Sequence, residues 1–312
     1  MKKVAVLLGG TSSEREVSLR SGEAVYQALL KLGYTAIKID ASESLVEQLL
    51  EEQPDVVFIA LHGKLGEDGT LQGLLDIIGI PYTGPGVLAS AIGMNKLTTK
   101  KILSYEGIPT PPFLAIRQDE VNSPEWPTIL EGINKQLSLP LVVKATTQGS
   151  TIGVFFVHRE EELLPAIHSA LVYDSEVLVE QMIQGSELTA SILGDNPPVP
   201  LPLIEITSDT GVYDYQSKYT PGMSHHLIPP RLSEDVQARV KDVCLRTYRA
   251  IGCRGYARVD CMVDEKGQPF ILEVNTAPGM TDTSLFPDAA HEAGIEFTEL
   301  IRRLIEMART GC

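Results

Sequence analysis

Two carboxylates near the C-terminal end of the chain have a spacing that could hold a metal ion. Asp260 lies in one run of strand-forming residues and Glu273 lies in the next. If the two runs pair as an antiparallel hairpin, Asp260 faces Glu273 and Arg258 faces Asn275, and the four side chains share one surface. Facing carboxylates repel each other unless a cation lies between them, and oxygen ligands suit Mg²⁺, which also binds substrate phosphates. The pairing alone is equally compatible with an ordinary hairpin that has a solvated polar face.

Two short strands, 256–263 and 270–275, must position these side chains. The turn between them contains Gly267, which can adopt the positive φ of a tight turn. The predicted register sets three further pairs: Val263 with Phe270, Cys261 with Leu272, and Val259 with Val274. One face of the predicted hairpin is therefore wholly apolar.

Size and composition indicate a soluble globular protein. A chain of 312 residues allows two or three domains, and 43% hydrophobic and 21% charged residues are typical of soluble proteins. No apolar run approaches the ~20 residues of a membrane span, and 4–8 is read as a buried strand rather than a signal peptide. The net charge of −15 argues against nucleic-acid or anionic-membrane binding. The four cysteines lack zinc or disulfide spacing, which indicates a reducing cytoplasm.

The first third of the sequence alternates strands and helices, which predicts a parallel sheet covered on both faces. The predicted strands are 4–8, 37–39 and 56–61, and the predicted helices run from Ser13 to about Lys31 and over 45–52. Ser13 and Glu16 have the spacing of a capping box, so Glu16 is attributed to capping. Ligands of such sheets bind at the carboxyl ends of the strands, where Glu14 is open to a binding role and His62 could equally be structural. Neither a dinucleotide fingerprint nor a P-loop occurs in the sequence.

Basic residues in the middle of the chain could surround an anion. An apolar strand over 139–144 ends on Lys144 and leads into the loop 149–153, whose backbone N–H groups could bind phosphate or form a plain turn. Lys96 opens a helix, whereas Lys100 and Lys101 are predicted to be solvated. The other elements predicted here are a helix over 95–105, strands at 154–157 and 177–182, and a helix over 160–171, which together suggest a small α+β unit.

Two irregular segments in the last third favour functional roles. The polar stretch 209–230 contains three tyrosines and is too long for a simple connection, so a mobile functional loop is expected. After the hairpin, the turn at Pro278 and Gly279 could aim backbone N–H groups at a developing oxyanion, or could simply end a strand.

Several stretches, in this order, resemble the D-alanine–D-alanine ligase family of the ATP-grasp superfamily. They are 8–18, 60–63 with 66–69, 213–219, 255–260 and 273–280. Each stretch is moderately specific alone. Their combination spans essentially the whole chain and is very specific.

The resemblance implies an ATP-grasp fold of mixed α/β and α+β class. An N-terminal parallel-sheet domain would cover 1–92, a small central α+β subdomain 93–183, and a C-terminal mixed α+β subdomain 184–312 with the metal site and the mobile loop 209–230. It further implies a cytoplasmic enzyme, expected to be a homodimer, that joins two D-alanine molecules through an acyl phosphate for peptidoglycan synthesis. ATP would be the cosubstrate with two Mg²⁺ ions, for which Mn²⁺ could substitute. No nucleic-acid or membrane partner is expected.

The resemblance also implies a role for particular residues. The metal ligands would be Asp260, Glu273 and Asn275. ATP phosphates would contact Lys96, Lys144 and Lys218 under a lid at Ser150, adenine would lie near Glu180, Gln181 and Ile183, and Glu187 would take the ribose. Glu14 and His62 would lie at the first D-alanine, Ser284 and Leu285 at the carboxylate of the second, and Arg258 and the Gly279 N–H at the oxyanion. Glu14, Ser150 and Tyr219 would form a hydrogen-bonded triad that closes the loop 209–230.

Two departures from the family pattern are visible. Gln181 stands where many members have a lysine beside the adenine, which puts the contribution of that side chain to nucleotide binding in doubt, although a backbone hydrogen bond to adenine would survive. Ala145 and Thr146 replace a common Pro-Ser pair, which is read as neutral.

The sequence allows three alternatives to this interpretation. The nearest is a related ligase that joins D-alanine to D-lactate or D-serine, and Tyr219 argues against the lactate version. A nucleotide-binding regulatory protein without turnover would predict the loss of a metal ligand, but all three are present. Another ATP-grasp ligase is disfavoured by the segments around Glu14 and His62.

Overall fold

The computed structural model describes residues 2–41, 44–208 and 224–311. Its strands are β1 (Lys3–Leu8), β2 (Thr35–Asp40), β3 (Val56–Ile59), β4 (Phe113–Arg117), β5 (Leu141–Ala145), β6 (Val154–Val157), β7 (Glu176–Gln181), β8 (Gly185–Leu193), β9 (Val199–Pro200), β10 (Ile204–Ser208), β11 (Ser224–Leu227), β12 (Tyr256–Asp264) and β13 (Pro269–Asn275). Its helices are α1 (Arg15–Lys31), α2 (Leu45–Glu52), α3 (Thr70–Ile78), α4 (Val87–Met94), α5 (Lys96–Tyr105), α6 (Gln118–Val121), α7 (Trp126–Gln136), α8 (Glu160–Ala170), α9 (Glu234–Ile251), α10 (Leu285–Glu292) and α11 (Phe297–Glu306). None of the helices in these ranges is long and apolar enough to cross a membrane.

The N-terminal sheet is parallel, with strand order β2-β1-β3, as the alternating sequence predicts. Its central strand β1 alternates between two cores. Val4 and Val6 pack with α1 and α11 on one face, whereas Ala5 and Leu7 pack with α2 and α3 on the other. The carboxyl ends of β1 and β3 therefore lie at one edge, which brings Gly9 and His62 together at the rim where ligands of parallel sheets bind.

The start of α1 differs from the predicted capping box. The helix begins at Arg15, Glu14 occupies the N-cap position, and no side chain caps the helix. Glu16 is exposed in the first turn, where the helix dipole favours a carboxylate. The prediction that Ser13 caps this helix is wrong. The helix begins two residues later, at Arg15, and the Glu14 side chain accepts a hydrogen bond from Ser150.

The middle sheet is antiparallel, with order β4-β7-β5-β6. Helices α7 and α8 cover it through a core that includes Ile133, Ile167 and Val179. Lys144 lies near the end of β5. Asn95 caps α5 by accepting a hydrogen bond from the Thr98 N–H at 2.8 Å, so Lys96 is the first residue of that helix.

The last sheet is antiparallel, with order β11-β10-β8-β12-β13 and β9 on β8, and α9 packs on it. Every element predicted from the sequence is present with its ends within two residues of the prediction. Part of the predicted irregular loop, however, is the strand β11, and residues 209–223 lie outside the described part of the chain. The predicted mixture of a parallel sheet and antiparallel sheets is present, whereas the boundaries at 92/93 and 183/184 stay predictions.

The hairpin β12–β13 is predicted correctly in only half of its register. Arg258 pairs with Asn275, Val259 with Val274 and Asp260 with Glu273, but the register then shifts so that Cys261 pairs with Ile271, Met262 with Phe270 and Val263 with Pro269. The predicted pairs Cys261 with Leu272 and Val263 with Phe270 are wrong because a β-bulge adds one residue to β13. The bulge places Leu272 in the wall of a cavity and Ile271 in the core, where it packs with Val259, Cys261, Val263 and Val274, so the buried face of the hairpin is apolar as predicted.

Candidate functional site

Two adjoining cavities share Lys96, Gln148 and Glu273 in their walls. The first, which we call the Arg258 cavity, is lined by the predicted site residues Glu14, His62, Ser150, Arg258, Asn275, Gly279, Ser284 and Leu285. The second, which we call the Lys144 cavity, is lined by Lys144, Glu180, Gln181, Ile183 and Glu187. Asp260 lines neither cavity, and Lys218 and Tyr219 lie outside the described residues.

The carboxylates of the hairpin each have a cationic partner. Arg258 donates from Nε and Nη2 to the two oxygens of Asp260, at 2.9 and 2.7 Å. Lys96 Nζ lies 3.0 Å from Glu273 Oε2. Charge repulsion between the facing carboxylates is therefore balanced from both sides, and both cations belong to the wall of the Arg258 cavity.

The oxygen donors on this face fit Mg²⁺ in kind. Asp260, Glu273 and Asn275 present only oxygens and an amide, and a magnesium site commonly uses one or two carboxylates together with substrate phosphates. Over the described ranges, no three Asp, Glu, His or Cys side chains gather closely enough to bind a metal alone. Thr189 further fixes Asp260, because its hydroxyl donates to Oδ1 at 2.5 Å.

Lys144 and Glu180 in the wall of the Lys144 cavity form a chain of three buried charges with Lys100 behind them. Glu180 Oε2 is 2.9 Å from Lys144 Nζ, and its Oε1 is 3.2 Å from Lys100 Nζ. Burial disfavours the charged form of Glu180, but the two lysines outweigh it and hold the pKa of the carboxyl below its ordinary value. The prediction that Lys100 is solvated is wrong, because its side chain is fully buried and burial lowers its pKa to about 8. Lys101, as predicted, is exposed.

The side chain of Gln181 is hydrogen-bonded to the backbone of the segment before β5. Its Nε2 donates to the carbonyls of Ser138 and Pro140, at 2.7 and 3.2 Å, and its Oε1 accepts from the Ser138 N–H at 2.9 Å. The amide thus ties the end of β7 to the segment that enters β5. A lysine at this position could not make the same set of bonds, since it has no acceptor.

The loop between β5 and β6 reaches across to the N-terminal sheet. The Ser150 hydroxyl donates to Glu14, and Lys96 Nζ donates to the Gln148 carbonyl at 2.6 Å. Ser150 and Thr151 adopt φ of 52° and 64°, which non-glycine residues rarely adopt and which functional loops often contain. Two members of the predicted triad are thereby in contact, while Tyr219 lies outside the described residues.

The base of this loop is fixed by Asp174. The Thr146 hydroxyl donates to Asp174 Oδ2 at 2.6 Å, and Thr147 donates to the same oxygen from its N–H and its hydroxyl, at 3.0 and 2.8 Å. Thr146 therefore has a structural partner at the position where the family commonly has another residue.

The far end of the Arg258 cavity is formed by the turn after β13 and by α10. Ser284 is the N-cap of α10, and its Oγ accepts from the Thr281 N–H at 3.0 Å. A Cβ on Gly279 would lie 2.9 Å from Ser284 Oγ, so a side chain has no room there. His62 is buried beside this turn, and burial lowers its pKa, which favours the neutral imidazole.

A further carboxyl, Glu67, also lines the Arg258 cavity and was not assigned from the sequence. Its Oε1 accepts from the Gly63 N–H at 2.7 Å. Burial, followed by the negative charge of Glu14, raises the pKa of Glu67 to about 8, so at neutral pH this carboxyl is mostly protonated.

Among the residues that were not assigned from the sequence, Glu67 and Gln148 line the cavities, whereas Lys100 and Thr189 contact Glu180 and Asp260 from behind. Glu67 lies in one of the stretches that resembles the ligase family, and that position was the available signal. Lys100 follows Lys96 by one helical turn, but its partner Glu180 is 80 positions away, and no local pattern indicates that contact.

Comparison with known proteins agrees with this geometry. Residues 102–306 match the family model for the D-ala D-ala ligase C-terminus, and residues 38–85 match that for its N-terminus. The chain is 59% identical to a D-alanine–D-alanine ligase of Pelotomaculum thermopropionicum over 310 residues, covering 99% of this chain and 98% of the relative. It is 58% identical to one of Desulforamulus reducens, covering 98% of both chains.

Solved structures show the same similarity in three dimensions. The D-alanine–D-alanine ligase of Bacillus anthracis, solved in complex with ATP, matches with a TM-score of 0.83 and 36% identity, covering 98% of this chain and 97% of that one. The VanG D-Ala:D-Ser ligase of Enterococcus faecalis matches with a TM-score of 0.83 and 31% identity, covering 98% of this chain and 99% of that one.

The sheets and the two joined cavities define an ATP-grasp enzyme. Within that class, the full-length identities are decisive. The chain belongs to the D-alanine–D-alanine ligase family.

Proposed function

We propose that the two cavities divide the work of joining two D-alanine molecules, with ATP in the Lys144 cavity and both amino acids in the Arg258 cavity. The enzyme makes D-alanyl-D-alanine for peptidoglycan synthesis with ATP as cosubstrate. The carboxylate of the first D-alanine takes the terminal phosphoryl group, the amine of the second attacks the acyl phosphate, and phosphate leaves. The main support for this proposal is the wall that the two cavities share, which consists of Lys96, Gln148 and Glu273. A phosphate of ATP in one cavity could therefore meet a carboxylate in the other.

Lysines in the Lys144 cavity would hold the phosphates, because phosphoryl transfer needs positioning and charge neutralisation. Lys144 would exchange Glu180 for a phosphate oxygen, and Lys96 would do the same with Glu273. Lys100 lies too deep to reach a ligand, and it keeps Glu180 neutralised when Lys144 moves. Lys218, outside the described residues, is proposed as a third phosphate ligand.

The rest of the nucleotide would follow the lining of the same cavity. Adenine would bind against the backbone from Glu180 to Ile183, and Glu187 would take the ribose. Gln181 would contribute through its backbone alone, since its side chain is committed to Ser138 and Pro140.

Asp260, Glu273 and Asn275 would hold Mg²⁺, with two ions expected and Mn²⁺ able to substitute. When bound, the metal would neutralise charge on the ATP phosphates. The residues themselves support this assignment: Arg258 and Lys96 balance the carboxylates, so the hairpin keeps both in place without ligand. Magnesium is proposed over zinc because the donor set has no sulfur or imidazole.

The Arg258 cavity would bind both amino acids. Glu14 would accept the ammonium of the first D-alanine, and Ser284 and Leu285 at the start of α10 would bind the carboxylate of the second, where the helix N-terminus favours an anion. Arg258 and the Gly279 N–H would stabilise the tetrahedral oxyanion.

Closure over the site would use the loop around Ser150. Glu14 already accepts from Ser150, and Tyr219 is proposed to complete the triad with the segment 209–230. Excluding water would protect the acyl phosphate from hydrolysis.

Product analysis tests the assignment. Purified enzyme receives ATP, Mg²⁺ and an equimolar mixture of D-alanine, D-serine and D-lactate, and the products are separated by mass. D-alanyl-D-alanine is expected as the main product. D-alanyl-D-serine as the main product would support the alternative that the similarity to the D-Ala:D-Ser ligase raises, and a depsipeptide would also contradict our assignment.

We also propose a homodimer in the cytoplasm. Ile77 and Leu88 are 86% and 72% exposed on α3 and α4, two helices that pack together, and large exposed apolar side chains on neighbouring helices favour a subunit interface. Light scattering of the wild type and of an Ile77→Asp, Leu88→Asp variant would test the dimer, which only the wild type should form. The free thiols of Cys244, Cys253 and Cys261 support a reducing compartment.

A further inference from the structure

A buried serine of α1 contacts the turn after β13, residues 277–280, which contains Gly279. The contact joins the N-terminal part of the chain to the C-terminal part. Ser21 Oγ accepts a hydrogen bond from the Met280 N–H at 3.1 Å and lies 3.3 Å from His62 Nε2. His62 Nδ1 lies 3.0 Å from the carbonyl oxygen of Ala277. Ser21 is fully buried and lines neither cavity.

The direction of every proton in this chain follows from the groups at its ends. A carbonyl can only accept, so His62 carries its proton on Nδ1 and donates it to Ala277. The Met280 N–H can only donate, so Ser21 accepts from it and gives its own hydroxyl proton to His62 Nε2. Both ring nitrogens of His62 are then occupied within the protein, which makes this histidine a brace of the turn rather than a ligand of the substrate.

The brace encloses Gly279 from both sides. Its two anchor points, the Ala277 carbonyl and the Met280 N–H, lie on either side of the glycine. A Cβ on Gly279 would lie 3.9 Å from Ser21 Oγ and 2.9 Å from Ser284 Oγ, so the two serines pack closely against the turn. A donor that stabilises an oxyanion works only when its direction is fixed before the reaction.

We propose that Ser21 is a positioning residue of the ligase, which acts through His62 to fix the direction of the Gly279 N–H toward the tetrahedral intermediate. The inference rests on the proposed function of the Arg258 cavity, and it adds a residue that touches neither ATP nor D-alanine. It predicts a defect in turnover that exceeds any defect in substrate binding.

The test compares Ser21→Ala with Ser18→Ala in the full-length enzyme. Ser18 is a matched control because it lies one turn earlier on α1, is equally buried, accepts from the Gly9 N–H at 2.9 Å and donates to the Ala60 carbonyl at 2.7 Å. Both variants lose one hydroxyl and two hydrogen bonds, so their thermal stability should fall by similar amounts.

Ser21→Ala is expected to lower kcat about 10- to 100-fold, which is part of the effect of losing a whole oxyanion donor. The KM values for ATP and D-alanine should change less than about threefold, while a tetrahedral phosphinate analogue of the dipeptide should bind more weakly by roughly the factor lost in kcat/KM. Ser18→Ala should keep kcat within about threefold of wild type. If Ser21→Ala does not fold, Ser21→Cys replaces it, since a thiol is a much weaker hydrogen-bonding group.

The outcomes separate the two claims. Wild-type enzyme that makes no dipeptide would overturn the proposed function. Active wild type with equal kcat in the Ser21 and Ser18 variants, or a Ser21 variant that changes only KM, would overturn the brace.

Discussion

Lys100→Met removes a buried cation that is paired with Glu180 behind the wall of the Lys144 cavity. Lys100 lies 3.2 Å from Glu180 Oε1 and donates to the Thr110 hydroxyl at 2.6 Å, and its side chain has no exposed surface. Methionine fills a similar volume without charge. The substitution therefore removes the charge and the hydrogen bond to Thr110 and leaves the packing volume nearly unchanged.

The expected magnitudes follow from the geometry. Removing one partner of a buried ion pair costs about 3–5 kcal/mol, and the lower end applies because Lys144 still neutralises Glu180 from 2.9 Å. Among the described residues, Lys144 is then the only cation paired with Glu180, so releasing it to a phosphate costs more. A pair of unit charges about 4 Å apart is worth about 4 kcal/mol at an effective dielectric constant of 20. One third of that already raises the KM for ATP about tenfold.

Urea unfolding and initial-rate kinetics measure the two effects. The free energy of unfolding should fall by about 3 kcal/mol and the KM for ATP should rise at least about tenfold, while the exposed neighbour variant Lys101→Met should match wild type in both. Glu180→Gln added to Lys100→Met should recover part of the stability, because no unbalanced carboxylate then remains. A loss below about 1 kcal/mol together with an unchanged KM would refute the reasoning.

Three further predictions concern other residues of the two cavities. Glu273→Ala should abolish D-alanine-dependent phosphate release at saturating Mg²⁺, because a proposed metal ligand is lost; near-normal turnover would remove Glu273 from the site. Because the pKa of Glu67 is raised from 4.5 to about 8, the folded protein binds a proton that the unfolded chain releases. Stability should therefore fall as pH rises between these values, and Glu67→Gln should flatten that slope in urea titrations; an unchanged slope would contradict the raised pKa. Gln181→Ala should lower stability by about 1–2 kcal/mol but leave the KM for ATP within about threefold; a large rise in KM would show that the side chain contacts nucleotide.

Local patterns predicted the elements well, because each depends on nearby residues. The helix that Lys96 opens and the strand that ends near Lys144 follow from residue types within a few positions. The cap at Ser13 failed for a tertiary reason: Glu14, at the N-cap position, points to Ser150, more than a hundred residues away. The register of the hairpin was predicted wrongly because nothing in the sequence of β13 marks the extra residue of the β-bulge. Only packing in the completed sheet decides which residue is extra.

Many residues of the site were named from the sequence, but the contacts that support them were not. Resemblance to the ligase family named several of the residues that line the two cavities. It gave no partner to Lys100 and no role to Ser21, since both roles depend on groups brought together by the complete fold. The structure also gives Arg258 and Lys96 a resting partner each, which explains how two facing carboxylates are tolerated before any ligand binds.

The transfer of oxygen from D-alanine to phosphate tests the central claim most directly. The enzyme is supplied with ATP and with D-alanine whose carboxylate carries ¹⁸O, and the released phosphate is analysed by mass. An acyl phosphate formed where the two cavities meet requires one labelled oxygen in each phosphate released per dipeptide formed. Unlabelled phosphate alongside dipeptide formation would contradict the account.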